Sequence, residues 1–174
     1  MRRFLVAIAL VTLVGLTAFA YGGGGVFSSE QVVIEPYNNI GLQLETHGGY
    51  GYGVDRRGIR TGGFGMVVYS DDQHELAGAF GGFITGAQQR IGPFTASINL
   101  WSGVGYINPA MIDIPGYAGF IAEANAEVGF APLPWFQLSL YAGMQAFGGF
   151  DIADILTQVR YSPVIGSRVT WGGF

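Results

Sequence analysis

Residues 120–147 read FIAEANAEVGFAPLPWFQLSLYAGMQAF, and this stretch decides the fold. Every second residue over 120–130 is apolar, and two glutamates and an asparagine lie between them. The alternation resumes over 136–146, after the break at Pro132-Leu133-Pro134. A period of two places successive side chains on opposite faces of a β-strand. The stretch therefore predicts a hairpin of two strands, each with one apolar and one polar row.

Similar alternation recurs along most of the chain. Further strands are expected at 31–35, 40–54, 59–69, 76–88, 94–106 and 157–174, the first of these being the weakest. Tight breaks at 55–57, 89–92 and 131–134 alternate with longer ones at 107–116 and 149–156. Strands of this length can cross a bilayer when tilted, and a sheet in hydrocarbon must close because it cannot expose polar edges. The predicted fold is all-β: a closed antiparallel up-and-down transmembrane β-barrel of about eight strands.

The composition agrees with a sheet that faces lipid. Charged residues make up 11% of the chain, against about 25% in typical soluble domains. The chain is also rich in glycine, with 30 residues of this type. A net charge of −4 argues against nucleic acid as a partner, and the lack of cysteine excludes disulfides and thiolate metal sites. We expect no cofactor and no enzymatic activity.

The N-terminus has the three parts of a secretory signal. Arg2 and Arg3 precede an apolar run over 4–16, and Ala18-Phe19-Ala20 is a small-x-small cleavage site. We expect a signal peptide at 1–20, cleaved after Ala20, with an uncleaved anchor as the alternative. The barrel domain would then be 21–174, of which 21–30 is expected to be a flexible Gly-rich lead.

In a membrane barrel the apolar rows face lipid and the polar rows line the interior. A barrel of eight strands is filled by side chains, and buried charges must be paired. The predicted interior polar network comprises Glu45, Glu123, Glu127, Arg160, Arg168, Asn99, Asn125, Gln137 and Gln145. A structural plug is the favoured interpretation. A gated pore, a proton path and paired catalytic carboxylates are the alternatives.

Aromatic residues lie near several predicted strand ends, where membrane barrels carry interfacial girdles. The girdle is predicted to contain Trp101, Tyr106, Tyr117, Trp135 and Trp171. Ordinary core aromatics are the alternative.

A polar run after the third predicted strand contains possible ligands and catalytic groups. Asp71, Asp72, His74 and Glu75 could bind a metal, and Ser70 with His74 and an acid could form a hydrolytic set. A run of five polar residues is also typical of a hairpin turn. We therefore expect neither a metal site nor catalytic residues here.

The end of the chain, PVIGSRVTWGGF over 163–174, resembles the terminal strand of bacterial outer-membrane β-barrels. Those strands finish on an aromatic residue, and Phe174 stands in that place. The resemblance implies an outer-membrane location, with the lipid bilayer and the outer-membrane assembly machinery as partners. Phe174 falls on the row of Thr170 and Arg168, so a bulge at Gly172-Gly173 is expected to reset the phase.

A second resemblance lies in the Gly-rich segments 47–53 and 62–65, which look like a hairpin of uncharacterised exported bacterial proteins. It implies no function. Together the observations favour a porin-like outer-membrane barrel of structural, adhesive or small-solute-passage type. One alternative is a secreted soluble barrel with its apolar rows around an apolar ligand. A lipid-modifying outer-membrane enzyme is the third possibility.

Overall fold

The computed structural model describes residues 21–33, 42–70, 75–108, 118–150 and 159–173, so the expected signal peptide at 1–20 lies outside it. The strands are β1 (Tyr21–Val33), β2 (Leu42–Val54), β3 (Ile59–Ser70), β4 (Leu76–Ile91), β5 (Phe94–Ile107), β6 (Ala118–Leu133), β7 (Phe136–Gly149) and β8 (Val159–Gly173). Each strand pairs antiparallel with the next, and β8 pairs with β1. The closed, eight-stranded, up-and-down barrel is thus confirmed. The described residues contain no helix long and apolar enough to cross a membrane.

The first strand begins much earlier than the sequence suggested. Gly24 lies opposite Gly51 on β2 and opposite Trp171 on β8, so the glycine run is paired on both edges. The prediction of a flexible lead is wrong, because ladder hydrogen bonds come from the backbone and need no side chain. The expected bulge at the last glycines is also wrong: Gly172 and Gly173 continue the regular register with β1.

Three tight turns lie at one end of the barrel, which we call the turn end. They join β2 to β3, β4 to β5 and β6 to β7. The N-terminal end of β1 and the C-terminal end of β8 lie at the same end of the barrel. Gly58 and Gly92 have φ of 83° and 61°, a left-handed backbone that suits glycine. We call the opposite end, where the strands border residues 34–41, 71–74, 109–117 and 151–158, the loop end.

From β5 to β8 the two rows face as the sequence predicts. The outward row carries large apolar side chains that remain exposed: Phe94, Ile98, Leu100, Val104, Val128, Leu138, Leu140, Met144, Tyr161 and Ile165. The inward row of these strands is mostly polar and buried. This half of the barrel therefore has an apolar exterior and a hydrogen-bonding interior.

From β2 to β4 the faces are reversed. The apolar row points inward and is buried, including Tyr50, Phe64 and Phe80. The outward row of β2 and β3 is rich in glycine, and Gly51 lies opposite Gly63 on it. The outward row of β4 differs, because it carries the exposed Phe83. The prediction that these apolar rows face outward is wrong. A period of two defines two rows but not which one is inside, and here the lumen is filled by the bulky row.

Candidate functional site

Three charged side chains from three separate strands meet inside the lumen. Arg60 of β3 and Arg168 of β8 both donate to Oε2 of Glu127 on β6, at 2.9 Å and 2.6 Å from their Nη1 atoms. All three side chains are almost fully buried. Because these strands stand on different sides of the barrel, the ion pairs cross its lumen.

A second carboxylate lies beside this group, toward the loop end. Glu123 accepts hydrogen bonds from Asn125 Nδ2 at 2.5 Å and from Gln145 Nε2 at 3.0 Å. Its Oε1 is 3.7 Å from Nη2 of Arg168, close enough for an ion pair. The cluster thus contains two arginines and two glutamates, and its formal charges cancel.

Amide and hydroxyl groups complete the network. Asn99 donates to Asn125 Oδ1 at 3.0 Å and to Glu127 Oε2 at 3.2 Å, and its Oδ1 accepts from Arg60. Nη2 of Arg60 donates to Gln88 Oε1 at 2.6 Å. The carboxylates and the Asn99 amide are thus hydrogen-bonded, as burial requires, whereas Nε of both arginines has no hydrogen-bond partner among the described residues.

The guanidinium groups also lie against aromatic rings. Arg60 is 4.0 Å from the ring centroid of Tyr52, and Arg168 is 3.8 Å from that of Tyr141 and 4.5 Å from that of Trp101. Such contacts stabilise a desolvated cation through the negative face of the ring. The arginines therefore join the carboxylates of β6 to aromatic side chains on both sides of the lumen.

Most of the predicted interior residues reach the lumen, but they do not all meet. The charged cluster includes Glu123, Glu127, Asn99, Asn125, Gln145 and Arg168. Gln137 is buried nearer the turn end, where it donates to Ser139 Oγ at 2.8 Å. Arg160 is half-buried on the inward row of β8, toward the loop end.

Glu45 is the exception, and its predicted interior position is wrong. It lies on the outward row of β2, with its side chain 33% exposed and Oε2 3.5 Å from His47 Nε2. The error arose because the faces of β2 are the reverse of those predicted: Leu44 and Thr46 occupy the inward row.

Arg60 was missed by the sequence analysis, although it binds the central carboxylate. It has the same parity as Phe64 and Met66, which were expected to face outward. Once that row is placed inside, Arg60 must follow it, because side chains two residues apart share a face.

The predicted aromatic girdle is only partly placed at the barrel ends. The prediction that Trp101 belongs to the girdle is wrong. Its side chain is 2% exposed, and its ring centroid is 5.1 Å from that of Phe27 and 4.9 Å from that of Phe64. It shares the parity of Asn99 on the inward row of β5, so the alternation itself predicts burial. Trp135, Trp171 and Tyr106 are exposed near strand ends, and Tyr117 lies outside the described residues.

The remaining candidates are residues outside the described ranges or next to them. Asp71, Asp72, His74 and the terminal Phe174 are outside the described residues. Ser70 is buried, and its backbone N–H donates to the Glu75 carbonyl at 2.9 Å. In the described ranges no three histidine or acidic side chains are grouped so that they could hold a metal ion.

The geometry defines a class: an eight-stranded, closed antiparallel β-barrel whose lumen is crossed by a neutralised Arg–Glu cluster. Comparison with models of known protein families finds no match, and neither does comparison with curated proteins.

Proposed function

We propose that the protein is an integral outer-membrane β-barrel with a closed lumen and a structural or adhesive role. The outward row of β4 to β8 carries this proposal. Phe83 is 77% exposed and Leu140 is 70% exposed, and similar side chains cover all five strands. Water would face an unusually large apolar patch here, whereas a bilayer would face an ordinary lipid-contacting surface.

The backbone supports the same proposal. Each of the eight described strands pairs with a neighbour on both sides, so the described sheet contains no edge strand. Only helices and closed barrels satisfy this requirement of the hydrocarbon region.

The charged cluster supports a closed lumen over solute passage. The ion pairs between Arg60, Glu127 and Arg168 join three strands across the lumen. Passage would require them to separate, which would leave buried charges uncompensated. We therefore expect little conductance from the folded barrel.

The packing of aromatic rings in the lumen counts against the alternative of a secreted soluble barrel that binds an apolar ligand. A soluble barrel of this kind needs an apolar cavity for its ligand. Here the rings of Phe27, Tyr50 and Phe64 surround Trp101, with centroid distances of 4.9 to 5.9 Å. Side chains already occupy the space that such a ligand would need.

Gel mobility tests the proposal. The mature protein would be extracted from the membrane fraction with detergent and run in SDS with and without boiling. A closed membrane barrel should resist SDS until heated, so we expect the two samples to run at different positions. A protein that stays soluble without detergent and shows no shift would contradict membrane insertion and favour the soluble alternative.

A further inference from the structure

The exposed arginines of the barrel lie at the turn end. Arg56 and Arg57 belong to the turn between β2 and β3, and Arg90 is next to the last residue of β4. All three side chains are exposed. The other described arginines lie on inward rows and are buried or half-buried: Arg60, Arg160 and Arg168. The turn end therefore holds every exposed arginine that the structure describes.

The acidic residues are concentrated at the opposite end. Glu30, Glu45 and Glu75 lie at or near the loop end. The chain segments that follow the strands there add further acidic residues and no arginine or lysine: Glu35, Asp71, Asp72, Asp113, Asp151 and Asp154. Asp55 is the one acidic side chain described at the turn end, and its Oδ2 is 3.2 Å from Nε of Arg57. The barrel is thus polarised along its axis, with the positive charge at the turn end.

The two turns that carry the arginines are in contact, and two of their guanidinium groups are available to an external anion. The Gln88 N–H donates to the Gly58 carbonyl at 2.7 Å, so the turn after β2 lies beside the end of β4. Nε of Arg90 donates to the Gly92 carbonyl at 2.9 Å, and its Nη groups make no contact within the described ranges. Arg56 makes no hydrogen bond or ion pair with any described residue.

Exposed aromatic rings at the same end indicate how deep it would lie in a bilayer. Trp135 is 56% exposed and Trp171 is 46% exposed. Phe136 lies between them, with ring centroids 6.0 Å and 6.2 Å away. Aromatic groups of this kind lie at the boundary between hydrocarbon and headgroups. Arginines on the adjoining turns would then reach the level of the lipid phosphates.

We propose that the turn end binds the phosphate groups of anionic phospholipids. Arg56 and Arg90 donate to the phosphate oxygens, for which a guanidinium offers several N–H groups in one plane. Trp135 and Trp171 lie beside the upper acyl chains. The acidic loop end would repel the same lipids, so the preference belongs to one end of the barrel. The inference rests on the proposed function, because it requires membrane insertion.

The tryptophans of the turn end are natural reporters for this proposal. The mature barrel would be folded into vesicles of equal parts phosphatidylcholine and phosphatidylglycerol, with bromine on the upper acyl chains of one lipid at a time. Bromine quenches tryptophan fluorescence only at short range, and the buried Trp101 supplies a constant background. We expect brominated phosphatidylglycerol to be favoured about fivefold beside Trp135 and Trp171, and less so at high salt. Equal quenching by the two lipids would overturn the proposal.

Variants test whether the arginines cause the preference. Arg56→Gln should about halve it, and adding Arg90→Gln should bring the ratio close to one. Arg56→Lys keeps the charge and should retain most of the preference. Gln43→Glu is the matched control, since it lowers the net charge by the same amount at an exposed position near the loop end. Equal losses in Arg56→Gln and Gln43→Glu would overturn the proposal, because net charge alone would then explain the preference.

A site for free phosphate would behave differently from a lipid-binding surface. Inorganic phosphate, present on both sides of the membrane, would be compared with chloride at the same ionic strength. We expect the preference for phosphatidylglycerol to be the same in both salts. Its loss in phosphate alone would overturn the assignment to lipid.

The two proposals fail in different ways. Absence of the heat-dependent gel shift, together with no quenching by either brominated lipid, would reject membrane insertion and this inference with it. A normal gel shift with equal quenching by the two lipids would reject only the preference for anionic lipid.

Discussion

The two halves of the barrel have the same ladder and the same period of two, yet they turn opposite kinds of residue inward. In β5 to β8 the inward row is polar, as with Asn99 and Glu127, and the outward row is large and apolar. In β2 to β4 the inward row is bulky and apolar, as with Tyr50 and Phe64, and the outward row of β2 and β3 is rich in glycine. A narrow lumen can be filled in this way because one wall supplies volume and the other supplies hydrogen bonds.

Arginines join the two walls. Arg60 belongs to the otherwise apolar row of β3, and its guanidinium lies between Tyr52 and Glu127. Arg168 lies against Trp101 and Tyr141 while it pairs with the same carboxylate. Arg168 also lies 5.8 Å from the ring centroid of Tyr50 on β2. The two arginines therefore contact aromatic rings of both halves while they share one carboxylate.

Removing the central carboxylate should have the largest effect. Glu127→Ala leaves Arg60 and Arg168 buried without their shared partner, and we expect a loss of about 4–5 kcal/mol in the free energy of unfolding. Urea unfolding in detergent, followed by tryptophan fluorescence, measures it. Glu75→Ala, at an exposed position, is the control and should change little. A loss below about 1 kcal/mol would mean that the cluster is not shielded from water.

Truncating the buried Trp101, which packs against rings of β1 and β3, should destabilise the barrel somewhat less. Trp101→Ala removes contacts with Phe27, Phe64 and Arg168, and we expect a loss of about 3–4 kcal/mol. The same unfolding assay applies, with Trp135→Ala at the exposed turn as the matched control. Equal effects of the two substitutions would contradict the burial of Trp101.

A charge on the outward row of the polar half tests the surrounding medium. Leu140→Lys should destabilise the barrel in lipid by about 2–3 kcal/mol, because the ammonium must enter hydrocarbon. Unfolding from liposomes measures this effect, and Leu140→Met is the apolar control. If both variants unfold like the parent protein, then that face does not meet lipid.

Substitution by alanine should change the stability of the barrel differently at glycines on the two faces of β3. A Cβ at Gly62, on the inward row, would collide with the Gly51 carbonyl oxygen, whereas a Cβ at Gly65 meets nothing within 4 Å. We expect Gly62→Ala to cost about 1–3 kcal/mol. Gly65→Ala should be neutral or slightly stabilising, since alanine loses less backbone entropy than glycine. Urea midpoints compare the two, and the opposite order would reverse the assignment of faces on β3.

The smallest effect is expected at a turn that belongs to neither wall. The Ile59 and Arg57 backbone N–H groups donate to Asp55 Oδ1, each at 2.8 Å, and hold the Asp55 pKa below its ordinary value. A depressed carboxylate pKa stabilises the fold above the pKa of the unfolded chain, about 3.9, and this contribution disappears as pH falls through the lower folded value.

The test compares the unfolding midpoints of the parent protein and Asp55→Asn between about pH 3 and about pH 7, a range that includes the Asp pKa of the unfolded chain. The parent should be slightly more stable at the upper end, and the difference should shrink toward the lower end. A difference that grows as pH falls would contradict the assigned direction of the pKa shift.

The sequence by itself determined seven of the eight strands and the tight turns, whereas β1 was predicted only at its C-terminal end. Alternation over 120–147 and its recurrence along the chain were sufficient, because a strand has a period of two whatever surrounds it. Polar rows such as that of Glu123 and Glu127 also predicted the hydrogen-bonding wall, since their partner rows were uniformly apolar.

Only the tertiary structure decided which row faces inward in β2 to β4, and with it the positions of Glu45 and Arg60. Alternation cannot assign the faces there, because an apolar row is compatible both with lipid contact and with a packed lumen. The faces are decided by the volume of the lumen, which must be filled. Because β5 to β8 turn mostly polar groups inward, the bulky side chains of β2 to β4 fill the remaining space. Packing between strands distant in sequence therefore placed the arginine that pairs with Glu127.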